Sequence, residues 1–373
     1  IEHISHPFSR QEMESWLDAK KNLNEIDLNK SLRKLRQHVI ANIILRDLNQ
    51  LAHLDEVLKS VTALAEVVLN HAHQFHFEVL KSMHGSPIGF NGEEQHLSIV
   101  GMGKLGGEEL NVSSDIDLIF AYPEEGDTNG KESISNQSFF IKLGKKIISS
   151  INDITEDGFV FRVDMQLRPF GSEGQLACSY QMLEDYYQKY GREWERYAWV
   201  KGRVTVGPHE ELHKIIDPFV YRKYLDYGAL NSMRDLKAQI QNDVNKRGIQ
   251  ENIKLGRGGI RKVEFIAQVY QLIRGGQDKT LRIKSLLPTL ALLKAKQLLS
   301  KEGVKALSEA YEFLRNLEHR LQYMEDMQTQ ELPKSDESKL RIAQSMNYQD
   351  WHAFYQDLEI HIYGGNLDRI SVE

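Results

Sequence analysis

The stretch that most limits what this chain can fold into runs from Gly101 to Phe120. It joins a glycine-rich run, Gly101-Met102-Gly103-Lys104-Leu105-Gly106-Gly107, to an apolar segment, Ser113-Ser114-Asp115-Ile116-Asp117-Leu118-Ile119-Phe120. Strand alternation predicts Asp115, Asp117 and Ile119 on one face, with Ile116, Leu118 and Phe120 on the other. Two like charges on one face repel and are costly to desolvate, so a positive group is expected between them. A divalent cation held through oxygen ligands is the simplest such group. The pattern points to metal-dependent phosphoryl or nucleotidyl transfer.

The 373 residues are enough for a large core and roughly two or three domains. A formal net charge of -6, with both signs interspersed, argues against general affinity for a nucleic-acid backbone. The single cysteine, Cys178, excludes an intramolecular disulfide framework and a multi-cysteine zinc site, and fits a reducing cytoplasm. No uninterrupted apolar run approaches the ~20 residues that span a bilayer, so no membrane association is expected. No signal peptide is visible. The chain opens on Ile1, and it is read as part of a longer natural protein.

Three domains are expected: an N-terminal helical region over 1–90, a catalytic α+β domain over 91–229 and a C-terminal helical bundle over 230–373. In the first, Leu32, Leu35, Val39, Ile40, Ile43, Ile44, Leu48 and Leu51 follow helical spacing, as do Val57, Leu58, Val61, Leu64 and Val68. Neither glycine nor proline interrupts Ile26 to Met83. His71, His73 and His76 do not have the spacing of helical metal ligands and are read as a solvated helix end. Gly85-Ser86-Pro87-Ile88-Gly89 reads as the linker.

Leu97 to Val100 is then a short strand, and the Asp115/Asp117 strand follows the glycine run. Phe139, Phe140, Leu143, Ile147 and Ile151 mark a helix. Phe159 to Arg168 alternates most clearly of all, with Phe159, Phe161, Val163, Met165 and Leu167 opposite Arg162, Asp164, Gln166 and Arg168. Beside an Asp-x-Asp strand, Asp164 becomes a third carboxylate for a cation, and Arg162 and Arg168 become phosphate partners. Most aromatics between Tyr180 and Tyr197 are read as core, and Val200 to Val206 as a last strand. Helices follow from about Leu230. Lys254-Leu255-Gly256-Arg257-Gly258-Gly259-Ile260-Arg261 interrupts them, either as an anion site at a helix N-terminus, with Lys254, Arg257 and Arg261 as phosphate candidates, or as a plain inter-helix turn.

Lys104 lacks the following Ser/Thr of a Walker A loop. Gly101-x-Gly103-x-x-Gly106 matches the dinucleotide fingerprint by letter, but no repeated βαβ pattern supports it. A glycine loop, an Asp-x-Asp strand and a neighbouring Asp164 together suit an in-line displacement at phosphorus.

These motifs, with Gly191-Arg192-Glu193-Trp194-Glu195-Arg196-Tyr197 and Lys254 through Phe265, resemble the glutamine synthetase adenylyltransferase family over most of the chain. The resemblance implies a helix-rich α+β fold: a DNA polymerase β-type nucleotidyltransferase core flanked by N- and C-terminal helical regions. It implies Asp115, Asp117 and Asp164 as catalytic residues and ligands of two ions, Mg2+ or Mn2+. It places Gly106, Gly107, Ser113 and Ser114 along the phosphates, with Arg162, Arg168, Lys254 and Arg257 as further contacts. ATP, ADP and phosphate would be substrates or products, glutamine synthetase the protein substrate, and the PII signalling protein and glutamine the regulators.

Family members carry two nucleotidyltransferase domains of opposite direction. Asn111-Val112-Ser113-Ser114 and Arg162-Val163-Asp164-Met165 resemble the N-terminal, AMP-removing version, whereas the adding version reads Gly-Ser-Asp-x-Asp and Glu-Val-Asp-Leu. Lys262 departs from the acidic residue usual after Gly-Gly-Ile-Arg, though Glu264 is retained. The rival readings are ATP-dependent adenylylation at the same kind of site, and a regulatory module for PII or glutamine synthetase with a vestigial site.

Overall fold

A computed structural model describes residues 4–20, 23–222, 252–256, 258–324, 326 and 328–364. The chain forms two compact units. The first comprises Ile1–Leu110 and Ser114–Phe219, the second Asn111–Ser113 and Val220–Glu373. As expected, the fold is helix-rich α+β of nucleotidyltransferase type.

The first unit opens with three helices, α1 (Arg10–Asp18), α2 (Glu25–Leu48) and α3 (Leu54–His84). A capping box starts α1: Ser9 accepts from the Glu12 amide while the Glu12 carboxylate accepts from that of Ser9. With neither glycine nor proline available, α2 is closed off two residues beyond its end by Gln50, which takes a left-handed φ of 59°. The Leu51 amide then donates to Arg46 O at 2.8 Å and the Gln50 amide to Asp47 O at 3.1 Å, a Schellman closure made without glycine. Leu48 and Leu51, expected on the apolar stripe, are exposed because they lie at and beyond this closure.

His73 and His76 are buried well inside α3, not at a solvated helix end, and burial depresses both to a pKa of about 4. His76 Nε2 lies 2.7 Å from Ser150 Oγ. His71, partly buried, lies 3.2 Å from Asp18. Residues 85–89 are packed rather than loose. A Cβ on Gly85 would lie 2.2 Å from the Gly130 nitrogen, and Pro87 pairs with Thr128.

The sheet has five strands: β1 (Ser98–Gly101), β2 (Ile116–Tyr122), β3 (Val163–Asp164), β4 (Ala177–Ser179) and β5 (Arg203–Val206). The order is β3-β2-β1-β5, with β4 also on β2. β1 is antiparallel to β2 and β5, whereas β3 and β4 run parallel to β2. β2 is the centre: Ile116, Leu118, Ile119, Phe120, Ala121 and Tyr122 are all fully buried, and Asp117 alone breaks the run. Helix α5 (Asn136–Asn152) packs across it. Tyr122 stacks on Phe140 at 4.8 Å, and Gly144 leaves room for the Phe120 ring. A short helix, α4 (Gly103–Gly106), sits between β1 and β2. Helices α6 (Tyr180–Lys189) and α7 (Glu193–Trp199) precede β5, and α8 (Glu210–Val220) follows it. Of the aromatics between Tyr180 and Tyr197 only Tyr180 and Tyr187 are core; Tyr186 and Tyr197 are partly buried and Tyr190 and Trp194 exposed, so the expectation that most of them are core is not met.

The long alternating strand expected over Phe159 to Arg168 contracts to two residues. Val160 and Phe161 are buried side by side, and both amides donate to Ile151 O at 3.0 and 3.1 Å, which ties them to the end of α5. Beyond Asp164, its own carboxylate accepts from the Gln166 amide at 2.7 Å and turns the chain away.

The second unit has α9 (Ile260–Arg274), α10 (Leu286–Ala295), α11 (Lys301–Tyr323), α12 (Asp336–Ser345) and α13 (Trp351–Glu359). They share a core that includes Ile260, Leu290, Leu307, Leu314, Leu317 and Phe354. At the start of α9 the amides of Ile260 and Arg261 donate to Ile253 O and Lys254 O, and that of Lys262 to Gly259 O. Three amides at the start of this helix are thus engaged by the loop itself. Arg257 lies outside the described residues.

Among the described residues no helix is long and apolar enough to cross a membrane. Cys178 is buried and reduced, and burial pushes its thiol up to about 11, which makes it a poor nucleophile.

Candidate active site

Parallel pairing of β2 and β3 places Ile116 opposite Val163 and Asp117 opposite Asp164. Register partners on neighbouring parallel strands share a face, so these two carboxylates stand side by side. Neither is buried. Like charges in this relation are destabilising.

Asp117 also faces the glycine run. A Cβ on Gly103, whose φ is +52°, would lie 2.9 Å from Asp117 Oδ2, and the Met102 amide donates to Asp117 O at 2.9 Å. The glycine therefore lets the backbone come close to a carboxylate that any side chain would crowd.

Asp115 lies one residue before β2, so strand alternation does not set its direction. Its Oδ1 accepts from Arg162 Nε at 2.7 Å, and both side chains are about one-third exposed. Arg162 also lies over the Phe159 ring, 5.3 Å from its centroid. Among the described residues no group of three or more His, Cys, Asp or Glu side chains converges on one metal position. The structure thus brings Asp117 and Asp164 together and turns Asp115 to Arg162. In kind, three aspartates suit a hard divalent cation that takes oxygen ligands, and the adjacency of Asp117 and Asp164 fits such a charge.

Residues 2–216 match the family described as glutamate-ammonia ligase adenylyltransferase. The chain is 50% identical over 359 residues to the bifunctional glutamine synthetase adenylyltransferase/adenylyl-removing enzyme of Aromatoleum aromaticum, covering 96% of this chain and 38% of that protein. The enzyme of the same description from Chromobacterium violaceum is 51% identical over 356 residues, 95% of this chain and 40% of that one. That from Neisseria meningitidis serogroup B is 49% identical over 352 residues, with 94% and 39% covered. This chain belongs to the glutamate-ammonia ligase adenylyltransferase family. It spans about two-fifths of the length of these relatives. Residues 234–363 match a second family, described as GlnD PII-uridylyltransferase.

Within this family member, several residues expected along the phosphates have other surroundings. Gly106 is buried, and a Cβ there would lie 1.9 Å from Lys201 O and 2.4 Å from Gly101 O. Gly107 is buried against Lys201 and Glu109. Both glycines are accounted for by close packing. Ser113 belongs to the second unit, where its amide donates to Gln322 Oε1 at 3.1 Å and its hydroxyl to Asp326 O at 2.8 Å. Ser114 is buried in the first unit. Arg168 directs Nε to Gly174 O at 3.2 Å, Nη1 to Met165 O at 2.7 Å and Nη2 to Ser172 O at 3.1 Å. Its guanidinium staples the turn after β3. Lys254 lies in the second unit, in the turn before α9.

Four residues that frame the site were not anticipated. Lys201 and Glu109 form a buried ion pair at 2.7 Å behind the glycine run. Arg203 donates to Leu105 O and Gly106 O at 3.1 and 3.2 Å and also to the buried Glu66, which in turn meets Arg10. The visible signal was a pair of basic residues, Lys201 and Arg203, flanking a glycine at the start of an otherwise apolar strand. Nothing local marks their acidic partners, which are 92 and 137 positions away.

Proposed function

We propose that this chain is the AMP-removing half of a bifunctional enzyme acting on glutamine synthetase. The observation that carries the reading is the pairing of Asp117 with Asp164, two adjacent carboxylates beside Gly103 in a family that handles adenylyl groups. Phosphate oxygen attacks the phosphorus of tyrosyl-AMP, the phosphorus–tyrosine oxygen bond breaks, and the tyrosine oxygen leaves and takes a proton. The products are free tyrosine and ADP. Asp115, Asp117 and Asp164 would hold Mg2+ or Mn2+, which supplies charge neutralisation and in-line positioning when bound. For Asp115 this requires release from Arg162, and the freed guanidinium then becomes available to a phosphate oxygen. Gly103 keeps the approach to Asp117 open.

The direction follows the Ser113-Ser114-Asp115 and Arg162-Val163-Asp164 spellings. Regulation by PII and by glutamine is part of the proposal, supported for PII by the match of residues 234–363 to a PII-uridylyltransferase family.

One assay separates the readings. The chain is incubated with adenylylated glutamine synthetase, magnesium or manganese, and phosphate. ADP that requires phosphate, and is lost in Asp117→Asn, supports AMP removal. AMP transfer from ATP to unmodified synthetase, without ADP release from the modified form, reverses the direction. Binding without either reaction leaves a regulatory module.

A further inference from the structure

Helix α4 is a single turn, Gly103–Gly106, and both of its end residues are glycine. One isolated turn does not hold its own shape in water, because fixing its dihedrals costs more than its first hydrogen bonds return. Glycine adds to that cost. The turn's own bonds are few: the Gly106 amide donates to Met102 O at 3.1 Å and the Gly107 amide to Gly103 O at 3.0 Å. The carbonyls at its C-terminal end are left over from this ladder and need donors from elsewhere. Where the turn stands matters to the site. Gly103 begins it, and a Cβ there would lie 2.9 Å from Asp117 Oδ2, so a small shift of α4 changes the approach to that carboxylate.

The outside donors belong to one side chain. Arg203 Nη2 donates to Leu105 O at 3.1 Å, and Arg203 Nε to Gly106 O at 3.2 Å. Arg203 is also the register partner of Gly101, the residue from which the run leaves β1. It thus brackets the run, standing beside its first residue in the sheet and holding the end of its one turn. The guanidinium is itself fixed from behind. Arg203 Nη2 also donates to Oε1 of Glu66, a buried carboxylate on α3 whose Oε2 takes Arg10 from α1. Arginine presents its N–H donors in a rigid planar fork, so a carboxylate held on one side aims the remaining donors at the carbonyls on the other. All of these residues lie in the first unit.

We propose that Arg203, locked by Glu66, is a positioning residue for the reaction: it sets where α4, and with it Gly103, stands against Asp117. The proposal rests on the reading of Asp117 as a catalytic carboxylate. Neither Arg203 nor Glu66 touches substrate in this account. A displacement of about 1 Å at a reacting group, caused by a residue outside the chemistry, can cost on the order of a hundredfold in rate.

The test uses the full chain with Arg203→Ala, Arg203→Lys and Glu66→Gln. Amide hydrogen exchange and the steady-state kinetics of AMP removal from adenylylated glutamine synthetase are read together. Arg203→Ala is expected to speed exchange at the Gly106 and Gly107 amides while leaving that of α5 unchanged. It should lower kcat about 10- to 100-fold with KM for phosphate within about twofold. Arg203→Lys keeps the charge but lacks the fork, so it should recover only part of both effects. Glu66→Gln removes the anchoring charge on α3 without touching either carbonyl, and should give the same pattern with a smaller loss.

A folded Arg203→Ala protein with unchanged exchange and kcat overturns the proposal. So does exchange that rises equally in α5, which would make the role of Arg203 one of global stability. A rise in KM for phosphate at constant kcat overturns it by making Arg203 a direct anion ligand. Full recovery in Arg203→Lys overturns it as well, since charge alone would then suffice. Should Arg203→Ala not fold, Glu66→Gln carries the same test. Faster exchange at Gly106 and Gly107 with a lower kcat supports positioning, and no change in either overturns it. Wild-type protein that removes no AMP defeats the functional reading, and the exchange measurements then still decide whether Arg203 holds the run.

Discussion

On the glycine-run side of the candidate site Lys201 and Glu109 are buried and paired; on the β3 side Asp117 and Asp164 are part-exposed neighbours of like charge. Lys201 and Glu109 are about 5% and 3% exposed, with 2.7 Å between their charged atoms. Arg203 and Glu66 tie the same run to α3 and β5. Across the site, Asp117 and Asp164 occupy one register position on adjacent strands, which is a cost to the fold rather than a support. Charge that serves the framework is neutralised within the protein. The carboxylates proposed for chemistry are partly exposed.

The largest expected effect lies on the β3 side. Asp117→Asn and Asp164→Asn should each lower kcat about a thousandfold, a loss of the size seen when a group aimed at developing charge is removed. Thermal melting in the absence of metal should hold steady or rise, because each change removes one of two adjacent like charges. A marked drop in melting temperature would break the comparison, since it would make these carboxylates part of the framework.

On the opposite side the prediction reverses. Lys201→Met strands Glu109 in the interior, and breaking a buried pair in this way costs about 3–5 kcal/mol. The double variant Lys201→Met/Glu109→Leu should recover most of that loss, as a denaturant series can show. If the double variant is no better than the single one, the pair is doing more than neutralising itself.

Gly106→Ala probes the same wall by packing. The new methyl would meet Lys201 O at 1.9 Å, so a penalty of about 3 kcal/mol is expected. At Gly107 the nearest atom, Glu109 Oε2, is 3.1 Å away and the next, Lys201 Cδ, 3.2 Å, both in side chains rather than backbone. Gly107→Ala should therefore cost clearly less, about 1 kcal/mol. Equal penalties would mean that the run yields as a unit.

The comparison also explains what could be read from the sequence. β2 was legible because six buried apolar residues surround a single acid, a pattern with few uses besides a site. The helices of the N-terminal region and of the second unit followed from three-and-four spacing. β3 was overcalled, because alternation alone cannot show that Val160 and Phe161 both turn inward to bond Ile151 O. The burial of His73 and His76 was missed although Gly85, the C-cap, marks a helix that runs on to His84 and leaves both histidines two or more turns from its end. Asp115 was assigned to the Asp117 face by strand periodicity, but it lies just outside the strand and answers to Arg162. Long-range ion pairs such as Glu109–Lys201 leave no local pattern, so the framework charges were invisible while the site charges were not.

Arg168 gives the smallest effect and the sharpest division. Its three nitrogens hold Met165, Ser172 and Gly174 carbonyls, so its charge sits near the site but works on the turn. Lysine can reach one of those carbonyls but lacks the planar fork that spans all three. Arg168→Lys should thus destabilise the chain by about 1–2 kcal/mol, the worth of one or two hydrogen bonds to a charged donor. KM for phosphate should stay within about twofold, because no substrate contact is lost. A KM rise of tenfold or more at unchanged stability would return Arg168 to the phosphate and move it from the framework to the chemistry. That outcome would also place the boundary between the two kinds of charge beyond the turn rather than at the end of β3.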